Sequence, residues 1–103
     1  MNPRYIFNTS GDYVAFVQGD NLFTPDSEWL GFIRNGNEVY TKEGEFLGYV
    51  LDDDRIVRNK SELKRLRLLR PLRPLRPLRP LRPLRRLRMP RLLYPYEDVF
   101  ERQ

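Results

Sequence analysis

The sequence predicts an all-β fold, a small quasi-four-fold repeat of β-hairpins in a radial or closed arrangement, followed by an extended polyproline II tail. Three observations predict it. One pattern recurs through residues 5–59; its apolar runs are short and rich in aromatic and β-branched residues; and proline falls at every third position from 71 to 83. The expected organisation is a β-repeat module over 4–59 and a linker over 60–69 with room for a short helix. An Arg-Pro-Leu tail over 70–91 and an aromatic docking segment over 92–103 follow.

Three segments superimpose: Phe7–Val17, Phe23–Ile33 and Tyr40–Val50, with a truncated fourth beginning at Ile56-Val57-Arg58-Asn59. Their first apolar positions, 7, 23, 40 and 57, are spaced by 16, 17 and 17 residues. Each unit reads as two strands around a polar turn, at Ser10-Gly11-Asp12, Pro25-Asp26-Ser27 and Glu43-Gly44-Glu45. Gly19-Asp20, Asn35-Gly36 and Asp52-Asp53-Asp54 separate the units. These are turn-forming residues, and the runs between them are too short for helices.

The second strand of each unit has a fixed grammar: an aromatic (Tyr13, Trp29, Phe46), then a small residue two on (Ala15, Gly31, Gly48), then an aliphatic (Val17, Ile33, Val50). Strict alternation would put those on one face and Val14, Leu30 and Leu47, with Phe16, Phe32 and Tyr49, on the other. Both faces are apolar and need covering. A small residue at the same place in each unit implies close backbone approach, as where strands converge on an axis, and closure would remove exposed sheet edges. The repeated Gly/Ser-x-aromatic-aliphatic-Gly/Ala-aromatic pattern resembles the bacterial four-fold β-flower domain family over roughly residues 4–59. The resemblance implies a quasi-four-fold all-β fold and carries no established activity or catalytic residues.

Composition excludes much chemistry. The chain has no cysteine and no histidine, so disulfides and His-based triads are ruled out, and the commonest metal ligand is missing. No signal peptide and no uncharged apolar run of membrane-spanning length is visible, so a cytoplasmic location is expected. Asp52-Asp53-Asp54 lacks the spacing of a calcium loop and reads as a solvated turn. Trp29, Tyr13 and Phe46 recur at equivalent positions and read as core. No phosphate-binding glycine motif occurs. The expectation is no enzyme, no cofactor, no metal and no small-molecule substrate.

Charge is divided sharply. Residues 1–59 hold five basic and ten acidic residues, net −5, whereas residues 60–103 hold fourteen basic and four acidic, net +10. Proline at every third residue excludes an α-helix and pushes each preceding arginine into extended conformations. A three-residue repeat on a three-fold screw sorts Arg70, Arg73, Arg76, Arg79 and Arg82 onto one edge and Leu72, Leu75, Leu78, Leu81 and Leu84 onto another. Residues 63–93 hold twelve basic residues and no acidic one, so the guanidinium row is expected to lack an internal partner.

Such an arm suits a protein-interaction or assembly module docking on an acidic or grooved protein surface, since polyproline II loses little freedom on binding. The residues expected to bind are Arg70, Arg73, Arg76, Arg79 and Arg82 for charge, with Leu72, Leu75 and Leu78 for apolar contact. Tyr94, Tyr96 and Phe100 of the last segment join them, and that segment could equally fold back over the head. Nucleic acid is the alternative partner, with the arginines set against phosphates; no aromatic residue between 63 and 93 offers a stacking platform. Pairing of acidic heads with basic tails between copies would give a homo-oligomer. An anionic membrane surface fits less well.

Overall fold

In a computed structural model describing residues 2–100, the hairpins are closed by one repeated turn. In Asn8–Asp12, Thr24–Glu28 and Thr41–Glu45 the first N–H donates to the fifth carbonyl (3.0, 2.9 and 2.7 Å), and the fourth N–H donates to the first carbonyl. The side chain of the first residue adds to this: Asn8 Oδ1, Thr24 Oγ1 and Thr41 Oγ1 each accept the N–H of the fifth. The fourth residue is left-handed, with φ of 92° at Gly11, 68° at Ser27 and 94° at Gly44. Glycine supplies that conformation without steric cost, and Ser27 adopts it despite its Cβ. Leu51–Arg55 makes the same two backbone bonds.

These turns link eight strands, β1 (Arg4–Phe7), β2 (Tyr13–Gln18), β3 (Asn21–Phe23), β4 (Trp29–Arg34), β5 (Glu38–Thr41), β6 (Phe46–Val50), β7 (Ile56–Asn59) and β8 (Tyr96–Asp98). They form one antiparallel sheet in sequence order, curled on itself. The curl brings its start to its last turn: Phe7 N–H donates to the Asp54 carbonyl at 2.9 Å, and Arg4 pairs with Asp54 and donates to the Leu51 carbonyl. The sheet does not stop at residue 59. The fourth hairpin, read as truncated, is completed by β8, whose Asp98, Glu97 and Tyr96 pair with Val57, Arg58 and Asn59 of β7. Thirty-six residues, 60–95, are therefore an insertion within the last hairpin.

Strict alternation fails once in each of the first three units. Ile6 pairs with Ala15 but Phe7 with Tyr13; Leu22 pairs with Gly31 but Phe23 with Trp29; Val39 pairs with Gly48 but Tyr40 with Phe46. Each is a β-bulge, with Val14, Leu30 or Leu47 as the extra residue, and a bulge re-aims the side chains beside it. The expected face assignment is corrected accordingly. Tyr13 and Trp29 cross over to join Phe16 and Phe32 in an aromatic cluster, together with Phe7, Phe23 and Tyr40. Val14, Leu30 and Leu47 pack instead with Ala15, Ile33 and Val50. That second, aliphatic cluster takes one residue from the first strand of every unit, Ile6, Leu22, Val39 and Ile56, which is the four-fold repeat expressed as packing.

The small residues have the reason expected. A Cβ on Gly31 would lie 1.9 Å from the Tyr40 carbonyl oxygen, and one on Gly48 would lie 2.1 Å from that of Val57. Both sites admit only hydrogen. The aromatic cluster is knit by stacked pairs, Phe16 with Phe23 and Phe32 with Tyr40, at ring separations of 5.3 and 5.5 Å.

Candidate interaction surface

Residues 60–95 leave β7, cross the hairpin turns in reverse order and return as β8. No helix forms over 60–69, contrary to the room left for one, and residues 63–93 are neither helix nor strand. The physical reason is visible at Leu63, Leu66 and Leu69, whose spacing of three continues that of the prolines rather than the 3.6 of a helix. A straight polyproline II segment from Arg70 to Leu84 would be about 46 Å long. The longest dimension of the molecule is 36 Å, so the segment bends around the head as a strap.

Backbone bonds pin the strap at both ends. Leu68 N–H donates to the Gly44 carbonyl at 2.9 Å, Arg86 N–H to that of Gly11 at 3.0 Å, and Met89 N–H to that of Thr9 at 2.8 Å. At these glycines a Cβ would meet the Leu68 and Arg86 carbonyl oxygens at 2.0 Å. The turn glycines thus serve twice, for their positive φ and for the strap's approach. Between the pins the Tyr5 hydroxyl donates to the Leu81 carbonyl. Beyond them Arg55, buried, donates to Asp53, Thr9 Oγ1 and the Pro90 carbonyl.

The guanidinium row does have internal partners, which corrects the expectation drawn from the acid-free stretch 63–93. The acids come from the head's turns. Arg67 pairs with Glu45, Arg79 with Asp26, Arg85 with Asp12 and Arg86 with Asp54, at 2.8–3.0 Å. Arg76 donates to the Asp26 carbonyl, and Arg82 lies over the Tyr13 ring at 5.4 Å. Arg70 and Arg73, the first two of the row, have no such partner among the described residues.

The densest polar knot is at the strap's start. Arg65 bonds Glu38, Glu62 and the Tyr49 hydroxyl and lies 3.9 Å from the centre of the Phe46 ring. Hydrogen bonds from Asn35, then Arg65, hold the Glu38 carboxyl below its ordinary range. Its bond to Glu38 raises the Arg65 guanidinium, which stays charged throughout. Burial, then the bond with Glu62, raises the Tyr49 hydroxyl. Under the middle of the strap, burial first, and then Tyr5, push the Tyr13 hydroxyl up to about 12.

Burial along the strap repeats every third residue: Pro71, Pro74, Pro77, Pro80 and Pro83 are half-buried against the head, and the arginines and leucines between them are exposed. The same inward register holds Arg65 before the prolines and Met89, Leu92 and Pro95 after them. Leu72, Leu75 and Leu78 are 92–94% exposed, so the leucine edge is turned wholly outward. Tyr94 and Tyr96 remain accessible. Phe100 does not: with Val99 it packs on the aliphatic cluster, so this part of the last segment folds back over the head. Residues 101–103 of that segment lie outside the described residues. Sequence reading missed Arg65, Arg55 and the two pinning glycines. For Arg65 the signal was present, because it falls in register with the prolines.

Among the described residues no helix is long and apolar enough to cross a membrane. Neither the curated proteins nor the solved structures contain a match to the chain. A family model described as "4-fold beta flower protein" matches residues 4–96, which takes in the strap and reaches the first residue of β8. The chain belongs to the four-fold β-flower family.

Proposed function

We propose that the protein is a non-enzymatic interaction or assembly module of the bacterial cytoplasm, whose arm, a bent polyproline II strap, offers its leucine edge to an apolar, acid-rimmed groove on a protein partner. The observation that carries this reading is the exposure of the leucines. At every third position from Leu63 to Leu87 they are 88–94% exposed, on a segment the head already holds in place. Burying one such side chain is worth about 1.5–3 kcal/mol, and a pre-ordered strap loses little freedom on docking. Exposed apolar rows of this kind mark interaction sites.

The alternative, arginines set against nucleic-acid phosphates, competes with the head for the same groups, since Arg79, Arg85 and Arg86 already face carboxylates. Pairing of acidic heads with basic arms between copies competes with the same internal contacts. The test is quantitative co-purification from native extract with full-length protein and with Leu72→Ser/Leu75→Ser/Leu78→Ser. A protein partner retained by the first and lost by the second is the expected result. Retention by the serine variant, or recovery of nucleic acid that leaves at moderate salt, overturns the reading.

A further inference from the structure

Between the second and third hairpin turns the strap crosses a notch lined by Trp29, Lys42, Glu43, Arg70 and Arg73. Beside it, Arg73 and Trp29 also line a hollow with Ser27 and Arg76, so the two share a wall. The notch differs from the rest of the strap's course. At the turns Arg67, Arg79, Arg85 and Arg86 meet carboxylates, whereas the side chains of Lys42, Arg70 and Arg73 have no hydrogen bond, ion pair or ring contact among the described residues. Ser27, 3% exposed, has a buried Oγ with no hydrogen-bond partner. Three cations and the Glu43 carboxylate leave the notch with an excess of two positive charges.

We infer that this notch binds a dianionic phosphoryl group. A phosphoryl group carries about −1.5 to −2 charges and three strong acceptor oxygens, enough to neutralise the excess and to engage donors from different directions. Arg70 and Arg73 supply planar forks suited to phosphate oxygens, and Lys42 adds a point charge. A carboxylate would bring one charge and leave the site unbalanced. The group can belong to a free phosphate compound or to a phosphorylated side chain of a protein, and the notch recognises the chemistry common to both. This site is separate from the leucine edge and does not depend on it.

Trp29 is the only tryptophan of the chain and lines the notch, so its fluorescence reports occupancy directly. Full-length protein is titrated at constant ionic strength with inorganic phosphate, with pyrophosphate, and with a phosphoserine peptide beside its unphosphorylated twin. A saturable change is expected with at least one phosphoryl probe. Each of Arg70→Gln and Arg73→Gln should weaken it by about tenfold or more, as loss of a charged hydrogen bond does. Lys42→Gln, which alters the head and leaves the strap intact, should weaken it severalfold. Arg88→Gln, outside the notch, should leave it unchanged. Tighter binding of the phosphopeptide than of either inorganic anion assigns the group to a protein side chain; the reverse order assigns it to a free phosphate compound. No saturable response, a response equalled by chloride, or one surviving both arginine changes overturns the inference.

Discussion

The head buries fourteen apolar side chains in two clusters and fixes its strands by backbone pairing, whereas the strap, drawn from the same chain, leaves a regular row of nine leucines, every third residue from Leu63 to Leu87, in water and holds on through its prolines, a few backbone bonds and a row of guanidinium groups. The first region draws on burial, at about 25 cal/mol per Å² of apolar surface. The second draws on exposed ion pairs, each worth about 0.2–1 kcal/mol. A small domain gains a fixed outer edge in this way without burying it. The comparison implies that the strap can fail without the head, whereas failure of the head takes the strap with it.

The largest effect is expected in the head. Gly31→Ala would drive a Cβ into the Tyr40 carbonyl, in a sheet that cannot spread there. Overpacking against backbone should cost about 4 kcal/mol or more, and urea unfolding should show strap and head lost together. At Gly44 the added Cβ meets the strap instead, at φ 94°. Gly44→Ala should cost about 2 kcal/mol, from the left-handed conformation and the lost Leu68 anchor, while the head's aromatic near-ultraviolet signal persists.

Smaller effects sharpen the boundary. Tyr13, under the strap, has its hydroxyl buried without a partner and its pKa pushed up to about 12. A raised tyrosine pKa favours the neutral form in the folded state, so the stability it contributes is present below pH 10 and is lost as pH rises from 10 to 12. Tyr13→Phe should be neutral or stabilising by about 1 kcal/mol at neutral pH and should flatten the alkaline loss in a pH series of thermal melts. Glu38 has the opposite sign. Its lowered pKa contributes stability above the ordinary value of 4.5 that is lost as pH falls through the folded one, and Glu38→Gln should remove that part of the acid sensitivity. Smallest of all, Leu75→Ser should change stability by less than about 0.5 kcal/mol, because the side chain it removes touches water.

Three of the four hairpins were legible in the sequence because their strands and turns recur within 17 residues, and Gly31 and Gly48 announced the close approach they make. The fourth was hidden because Ile56–Asn59 and Tyr96–Asp98 are separated by the strap, so no local pattern joins them. The bulges were hidden as well, since Val14, Leu30 and Leu47 are apolar and suit either face. For the strap, the three-residue period gave its extended form and its leucine edge. What it faces was present only as a charge imbalance. The pairing of Arg79 with Asp26 or Arg85 with Asp12 depends on how the curled sheet sets its turns, which residues near in sequence do not reveal.

The central claim is that the strap lies on the head with its leucines outward before any partner arrives, and residue-resolved amide hydrogen exchange of the free protein tests it directly. The amides of Leu68, Arg86 and Met89, which donate to Gly44, Gly11 and Thr9, should be protected, while those of Leu75 and Leu78 exchange freely. Equal, unprotected exchange at all five would mean that the arm hangs loose and would contradict the account.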